Sequence, residues 1–183
     1  MNIGFIGLGI MGAPMAGHLM AGGHQIITCI HKTPAPKTLI ESGLEVVENA
    51  KEVAKNSEII IVMVPDTPQV QDVLFHQNGI AEGLTDGKLI IDMSSISPIE
   101  TKEFANTIKS RGCGYLDAPV SGGELGAKAA SLTIMVGGSE EDFSRALPIF
   151  ELMGSNITLA VSYTHLRAHE TRGNLVCRLL LEK

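Results

Sequence analysis

Phe5-Ile6-Gly7-Leu8-Gly9-Ile10-Met11-Gly12-Ala13-Pro14-Met15-Ala16 decides the fold. A short strand, Asn2 to Ile6, runs straight into Gly-x-Gly-x-x-Gly, and a helix follows to about Ala21. In that setting each glycine has a mechanical task. Gly7 permits the tight turn, Gly9 lets a pyrophosphate approach the backbone, and Gly12 allows close packing of helix on strand. The phosphates would rest on the helix N-terminus, where free N–H groups and the dipole favour anions. That context favours a phosphate cradle over a bare glycine turn.

Moving outward, aliphatic runs recur at Gln25 to Ile30, Leu44 to Val47, Glu58 to Val64, Lys88 to Asp92 and Gly114 to Asp117, with helical stretches between them. Six strands separated by helices imply a parallel sheet covered on both faces. Ser97-Pro98-Ile99-Glu100 reads as a serine cap, a first-turn proline and an early glutamate, opening a helix that ends near Arg111-Gly112. From Ser131 onward two further strands are expected, Leu132 to Val136 and Asn156 to Leu159, around a helix from Glu140 to Met153.

The end of the second strand is where an acid would hold the adenosine ribose of NAD. It reads Thr28-Cys29-Ile30-His31-Lys32-Thr33, with no acid. His31 and Lys32 offer an imidazole and an ammonium that could take a 2′-phosphate, which tips the expectation from NAD toward NADP. An ordinary solvated turn is the competing reading of the same two residues.

Composition excludes other classes. With 183 residues, 14 basic against 20 acidic side chains, a net charge of −6 and 44% apolar residues, the chain reads as one soluble globular domain or slightly more. An acidic balance with five Phe, two Tyr and no Trp gives nucleic acid little to bind or stack on. The longest aliphatic run, Ile59 to Val64, is too short to cross a bilayer, and Met1 to Ile10 lack the pattern of a secretory signal, so no membrane partner and a cytoplasmic location are expected. Cys29, Cys113 and Cys177 have neither disulfide nor zinc spacing and read as small core residues; no metal is expected. Met11, Met15 and Met20 read as core filler on the first helix.

Near Ala160 the texture breaks. Residues 161–183 carry four basic and two acidic side chains, reversing the sign of the rest of the chain. His165 and His169 would share a helix face, but no third metal ligand is placed beside them. Tyr163 and Arg167 imitate a Tyr-x-x-x-Lys pair without its lysine. Asp92 and Asp117, at strand ends, could be a catalytic carboxylate pair; they read better as acceptors that fix loops through backbone N–H groups.

Four stretches in this order resemble the β-hydroxyacid dehydrogenase family: the glycine stretch quoted above, Met63-Val64-Pro65-Asp66-Thr67-Pro68-Gln69-Val70, Asp92-Met93-Ser94-Ser95-Ile96-Ser97-Pro98, and Asp117-Ala118-Pro119-Val120-Ser121-Gly122-Gly123. The resemblance covers residues 1 to about 160. It implies a Rossmann-type, doubly wound, mainly parallel α/β sheet that binds NAD or NADP, with two extra C-terminal strands. In the family a long inter-domain helix and an all-helical, subunit-pairing second domain follow. That helical domain is expected to be missing here, with residues 161–183 forming an atypical tail in place of the inter-domain helix, and a homo-oligomer is expected only of the complete protein.

Carried over residue by residue, the resemblance implies that Gly7, Gly9, Ile10, Met11 and Gly12 hold the pyrophosphate. Val64 and Pro65 would line the path from adenosine to nicotinamide, Ser95 and Ile96 would lie beside the nicotinamide, and Ser121, Gly122 and Gly123 would cradle the carboxylate of a small hydroxyacid or semialdehyde substrate. The implied reaction is hydride transfer to an aldehyde carbon, with a lysine giving the proton from a Gly-x-x-Gly-x-Gly-x-x-x-Lys-x-x-Asn-Gln pattern. No lysine lies between Lys128 and Lys183, and the expected position falls at or beside Glu170. No catalytic residue is therefore assigned, and a non-catalytic dinucleotide-binding module competes with an enzyme. Two departures from the family wording are structural in character. His18 replaces a usual asparagine and is expected to pack or cap; Ala130-Ser131 replaces a usual Gly-Thr and is expected to shift a turn.

Overall fold

The computed structural model describes residues 1–30 and 34–160, and the backbone of residues 168–171 and 174–177. The aliphatic runs form β1 (Asn2–Ile6), β2 (Gln25–Cys29), β3 (Glu45–Val47), β4 (Ile59–Val62), β5 (Leu89–Asp92) and β6 (Gly114–Asp117). All pair in parallel, in the order β3-β2-β1-β4-β5-β6. Both central strands β4 and β5 are buried along their whole length, which is why their sequences are unbroken aliphatics rather than alternating ones. Successive side chains go to opposite faces: Ile59 and Ile61 join one core cluster with Ile3 and Phe5, while Ile60 and Val62 join a second with Ile6 and Ile27.

The crossovers carry α1 (Gly12–Ala21), α2 (Lys37–Glu41), α3 (Ala50–Asn56), α4 (Thr67–Phe75) and α5 (Pro98–Lys109). Local chemistry starts two of them: the Asn49 side chain accepts from Glu52 N at 3.0 Å, and that of Asp66 from Gln69 N at 3.1 Å. Ser97 corrects the expected serine cap of α5. Its side chain caps no backbone N–H; the hydroxyl bonds the Glu100 carboxyl instead, holding that carboxyl below its ordinary range. Pro98 at the first position still fits the helix start.

Beyond β6 the sheet changes direction. The short β7 (Val120–Ser121) leads into α6 (Gly123–Lys128), then β8 (Leu132–Gly137), α7 (Glu140–Phe150) and β9 (Gly154–Ala160). β8 runs antiparallel to β6 and β7, and β9 parallel to β8. The two expected C-terminal strands are present; β7, at two residues, is too short to leave a periodic signature. In the tail, Ala168–Thr171 (β10) and Asn174–Cys177 (β11) pair antiparallel, so the backbone at His169 is strand, not the helix that a shared face with His165 needs. His165, Tyr163 and Arg167 lie outside the described residues. Every helix among the described residues belongs to this one α/β unit.

Candidate functional site

The strand order reverses between β1 and β4, and the ends of β1 and β4 open there into a crevice, the place where sheets of this kind take ligands. Gly7 turns the chain at φ +105°, and a Cβ on it would overlap the Met63 carbonyl oxygen. At Gly12 a Cβ would overlap the Gly7 carbonyl and reach 2.9 Å from the Phe5 ring. Around Gly9 nothing stands within 4 Å of that position, so its backbone faces open space. Two glycines are thus demanded by packing inside the corner, and the third leaves room outside it. Helix α1 has neither a capping side chain nor an acid in its first turn, so its N-terminal partial charge is not answered by an acid of its own.

A cavity of about 660 Å³ occupies the crevice. Gly7, Gly9, Ile10, Met11 and Gly12 line one wall, and Val64 and Pro65 line another. Cys29, Ile30 and Ala35 close it at the β2 end. Cys29 is half-buried there rather than a core residue, whereas Cys113 is buried as expected. Met15 is fully buried, and Met11 and Met20 pack against the same core.

The remaining wall comes from α4 through Gln69, Asp72 and Val73, residues without an assigned role in the sequence reading. Their i, i+3, i+4 spacing, on a helix starting just past β4, is the signal that marks them as one face. Ser95 and Ile96 do not line the cavity; Ile96, like Val64, packs against the second core cluster. His31 and Lys32 lie outside the described residues.

Behind the Val64 wall stands a buried polar chain. The Val64 N–H donates to Ser94 Oγ at 3.0 Å, the Ser94 N–H to Asp92 Oδ1 at 3.0 Å, and the Tyr115 hydroxyl to Asp92 Oδ2 at 3.0 Å. Asp92 is accordingly a loop-fixing acceptor. Burial pushes its carboxyl up to about 6 against the bonds from Ser94 and Tyr115. Asp117 is its register partner on β6, and burial together with the Asp92 charge pushes it up to about 8. The pair is thus poised to hold one proton at neutral pH.

Ser121, Gly122 and Gly123 form a second glycine turn on the far side of β6, away from the cavity lining. Gly122 sits at φ +128° and Gly123 at φ +58°, both in the region that favours glycine. His18 reaches across from α1 to the end of α6, its Nε2 lying 3.0 Å from the Ala127 carbonyl and 3.1 Å from that of Lys128. Carbonyls only accept, so Nε2 carries the proton and caps that helix end, a capping role of the kind expected. Ala130 takes φ +52°, in the left-handed region that favours glycine. Among the described residues no His, Cys, Asp and Glu cluster could hold a metal ion.

The model of the NAD binding domain of 6-phosphogluconate dehydrogenase matches residues 2–162. The chain belongs to that family. It is 56% identical to 2-hydroxy-3-oxopropionate reductase of Escherichia coli (strain K12) over 160 residues, which are 87% of this chain and 54% of the relative. A solved structure of Mycobacterium tuberculosis 3-hydroxyisobutyrate dehydrogenase with L-serine superposes with a TM-score of 0.79 at 35% identity, over 86% of this chain and 53% of that one. Psf3 in complex with NADP+ and 2-OPP gives a TM-score of 0.81 at 26% identity, over 86% and 56% of the two chains. The chain spans about half the length of the relatives it matches. Family membership identifies the dinucleotide NAD or NADP as the cofactor class, and the open cradle at Gly9, beside an α1 start free of acids, fits its phosphates.

Proposed function

We propose that this chain is the cofactor-binding part of a 2-hydroxy-3-oxopropionate (tartronate semialdehyde) reductase, which reduces its substrate to D-glycerate. The observation that carries this is the glycine corner opening into the 660 Å³ cavity, in a chain 56% identical to the reductase. The wording at Ser97-Pro98-Ile99-Glu100-Thr101-Lys102 and Phe150-Glu151-Leu152-Met153-Gly154 also resembles that enzyme. Residues 1–160 form the dinucleotide-binding unit in this reading, and 161–183 stand where the inter-domain helix would run.

Bound in the crevice, the dinucleotide would supply a hydride for an aldehyde carbon. The chain's own residues bind and orient. The backbone at Gly9, Ile10 and Met11, with the start of α1, holds the pyrophosphate; Val64 and Pro65 guide the dinucleotide toward the β4 and β5 ends; Ser95 and Ile96 flank the nicotinamide; Ser121, Gly122 and Gly123 hold a substrate carboxylate with backbone N–H groups. His31 and Lys32 take a 2′-phosphate, so NADPH binds more tightly than NADH. With no lysine between Lys128 and Lys183, these residues supply no counterpart of the family's proton donor.

That gap supports a second reading, a module that binds the dinucleotide without turnover. A substrate such as 3-hydroxyisobutyrate is the alternative within enzymes, supported by the M. tuberculosis likeness. Fluorescence titration with NADH and NADPH, followed by addition of tartronate semialdehyde, separates the reductase from the module. Binding with oxidation above background supports the reductase, binding without oxidation supports the module, and failure to bind either dinucleotide sinks both. Lys32→Ala is expected to weaken NADPH about tenfold more than NADH, roughly the loss of one charge-assisted contact to phosphate.

A further inference from the structure

The cavity's β2 end and β4 end are held by different means. At the β2 end the wall is Cys29 and Ala35, which pack against the core, with Ile30 exposed beside them. At the β4 end the chain leaves the sheet at Met63 and Val64, and two backbone hydrogen bonds and one side chain fix where it goes. Met63 N donates to the Ile6 carbonyl at 2.9 Å, Met93 N to the Val62 carbonyl at 2.8 Å, and Val64 N to Ser94 Oγ at 3.0 Å. Only the last of these ties a residue of the cavity lining to a side chain on the neighbouring strand end. Ser94 is 1% exposed and Asp92 fully buried, so neither can trade its partner for water.

We propose that Ser94 is a positioning residue for the nicotinamide half of the site: its hydroxyl, held in place by the buried Asp92–Tyr115 pair, latches the Val64–Pro65 wall to the loop that leads to Ser95 and Ile96. This rests on the dinucleotide reading given above. The direction of the cofactor follows from the fold, in which the acid-or-phosphate position at the end of β2 takes the adenosine ribose and leaves the nicotinamide to the β4 and β5 side.

The chemistry of the chain fits a latch. Asp92 uses one oxygen on the Ser94 N–H and the other on the Tyr115 hydroxyl, both at 3.0 Å, so its carboxyl is braced from two strands. Ser94 then holds its own backbone on Asp92 while its Oγ faces Val64. An alanine at 94 keeps the backbone N–H bond to Asp92 and removes the hydroxyl, which joins the Val64 N–H to the Asp92 carboxyl. Such a change acts locally, on the one wall the nicotinamide half meets.

The test separates the two halves of the ligand in the full chain. NADH and NADPH report on the whole site, and ADP-ribose on all of it except the contacts of the nicotinamide ring. For Ser94→Ala we expect about a tenfold loss of NADH and NADPH affinity, with ADP-ribose unchanged within about twofold, as the removal of one buried hydrogen bond at that wall would give. Tyr115→Phe, which keeps the ring and removes the brace, shifts the same ratio in the same direction by about threefold. An equal loss of all three ligands in both variants, or none in either, overturns the latch, the first by making Ser94 a general structural residue. If the unaltered chain binds ADP-ribose, NADH and NADPH not at all, the dinucleotide reading itself fails and the latch with it, a result recognisable before any variant is made.

Discussion

Two glycine turns lie at the strand-end edge of this molecule, each opening a helix, and they are built differently. In the first, Gly7 and Gly12 are required by what surrounds them, because a Cβ at either would strike backbone. In the second, Gly122 and Gly123 are required by φ; a Cβ at Gly122 would come no nearer than 3.3 Å to a neighbour, and at Gly123 would meet nothing within 4 Å. The first turn opens a ten-residue helix with buried Met15, Ala16 and Leu19; the second opens a six-residue helix whose far end is capped by His18 from the first. Similar sequence texture therefore yields a rigid wall of a cavity in one place and a short, conformationally specified turn in the other. Steric demand, and not glycine content, distinguishes the two.

The largest effect should come from breaking the first turn. Gly7→Ala combines an overlap with the Met63 carbonyl and a positive φ, so a loss of about 3 kcal/mol or more in urea unfolding followed by circular dichroism is expected, with NADPH binding abolished. Gly122→Ala carries the strain without the overlap and should cost about 1–2 kcal/mol while leaving NADPH affinity within about twofold. If Gly122→Ala damages binding as much as Gly7→Ala, the contrast between the turns is wrong.

A third expectation concerns pH on the approach to the second turn. Asp92 and Asp117 have folded-state values of about 6 and about 8, above the ordinary carboxylate value of 3.8, so the folded chain retains protons that the unfolded chain has released. Stability from these groups is complete below about pH 3.8 and is lost as pH rises through about 6 and about 8. The melting temperature of the unaltered chain should therefore fall between about pH 4 and about pH 8, and Asp117→Asn should flatten that fall. An unchanged slope would show that Asp117 does not hold the proton. The smallest effect is favourable: Ala130→Gly relieves φ +52° and should add about 0.5–1 kcal/mol, read from the same urea curves.

Much of this was legible before any coordinates. The six parallel strands follow from aliphatic runs whose continuity reports burial on both faces, and the glycine spacing follows from a turn that must be tight, open and closely packed in that order. The walls at Val64 and Pro65 follow from a motif. Gln69 and Asp72 were visible only as helical spacing, since nothing local says that α4 leans over the crevice. Ser97 misleads as a cap because a glutamate three residues on competes for its hydroxyl. Ser94 is unremarkable in sequence, one of three serines within four residues. It bonds Val64, just past β4, and Asp92 on β5, and Asp92 is in turn braced by Tyr115 on β6.

Sequence alone determined which aliphatic runs become the parallel strands, where the chain must turn through glycine, and that an anion-binding helix end follows the first strand, because these depend on local sterics and on periodicity. Tertiary structure alone decided that α4 supplies the fourth wall of the cavity, that His18 closes a helix 109 positions away, and that Asp92 braces Ser94 behind Val64. Those depend on strand order, which brings β4, β5 and β6 side by side although the chain visits each of them only after a helix, and a contact made by strand order leaves no local trace in the residues that make it.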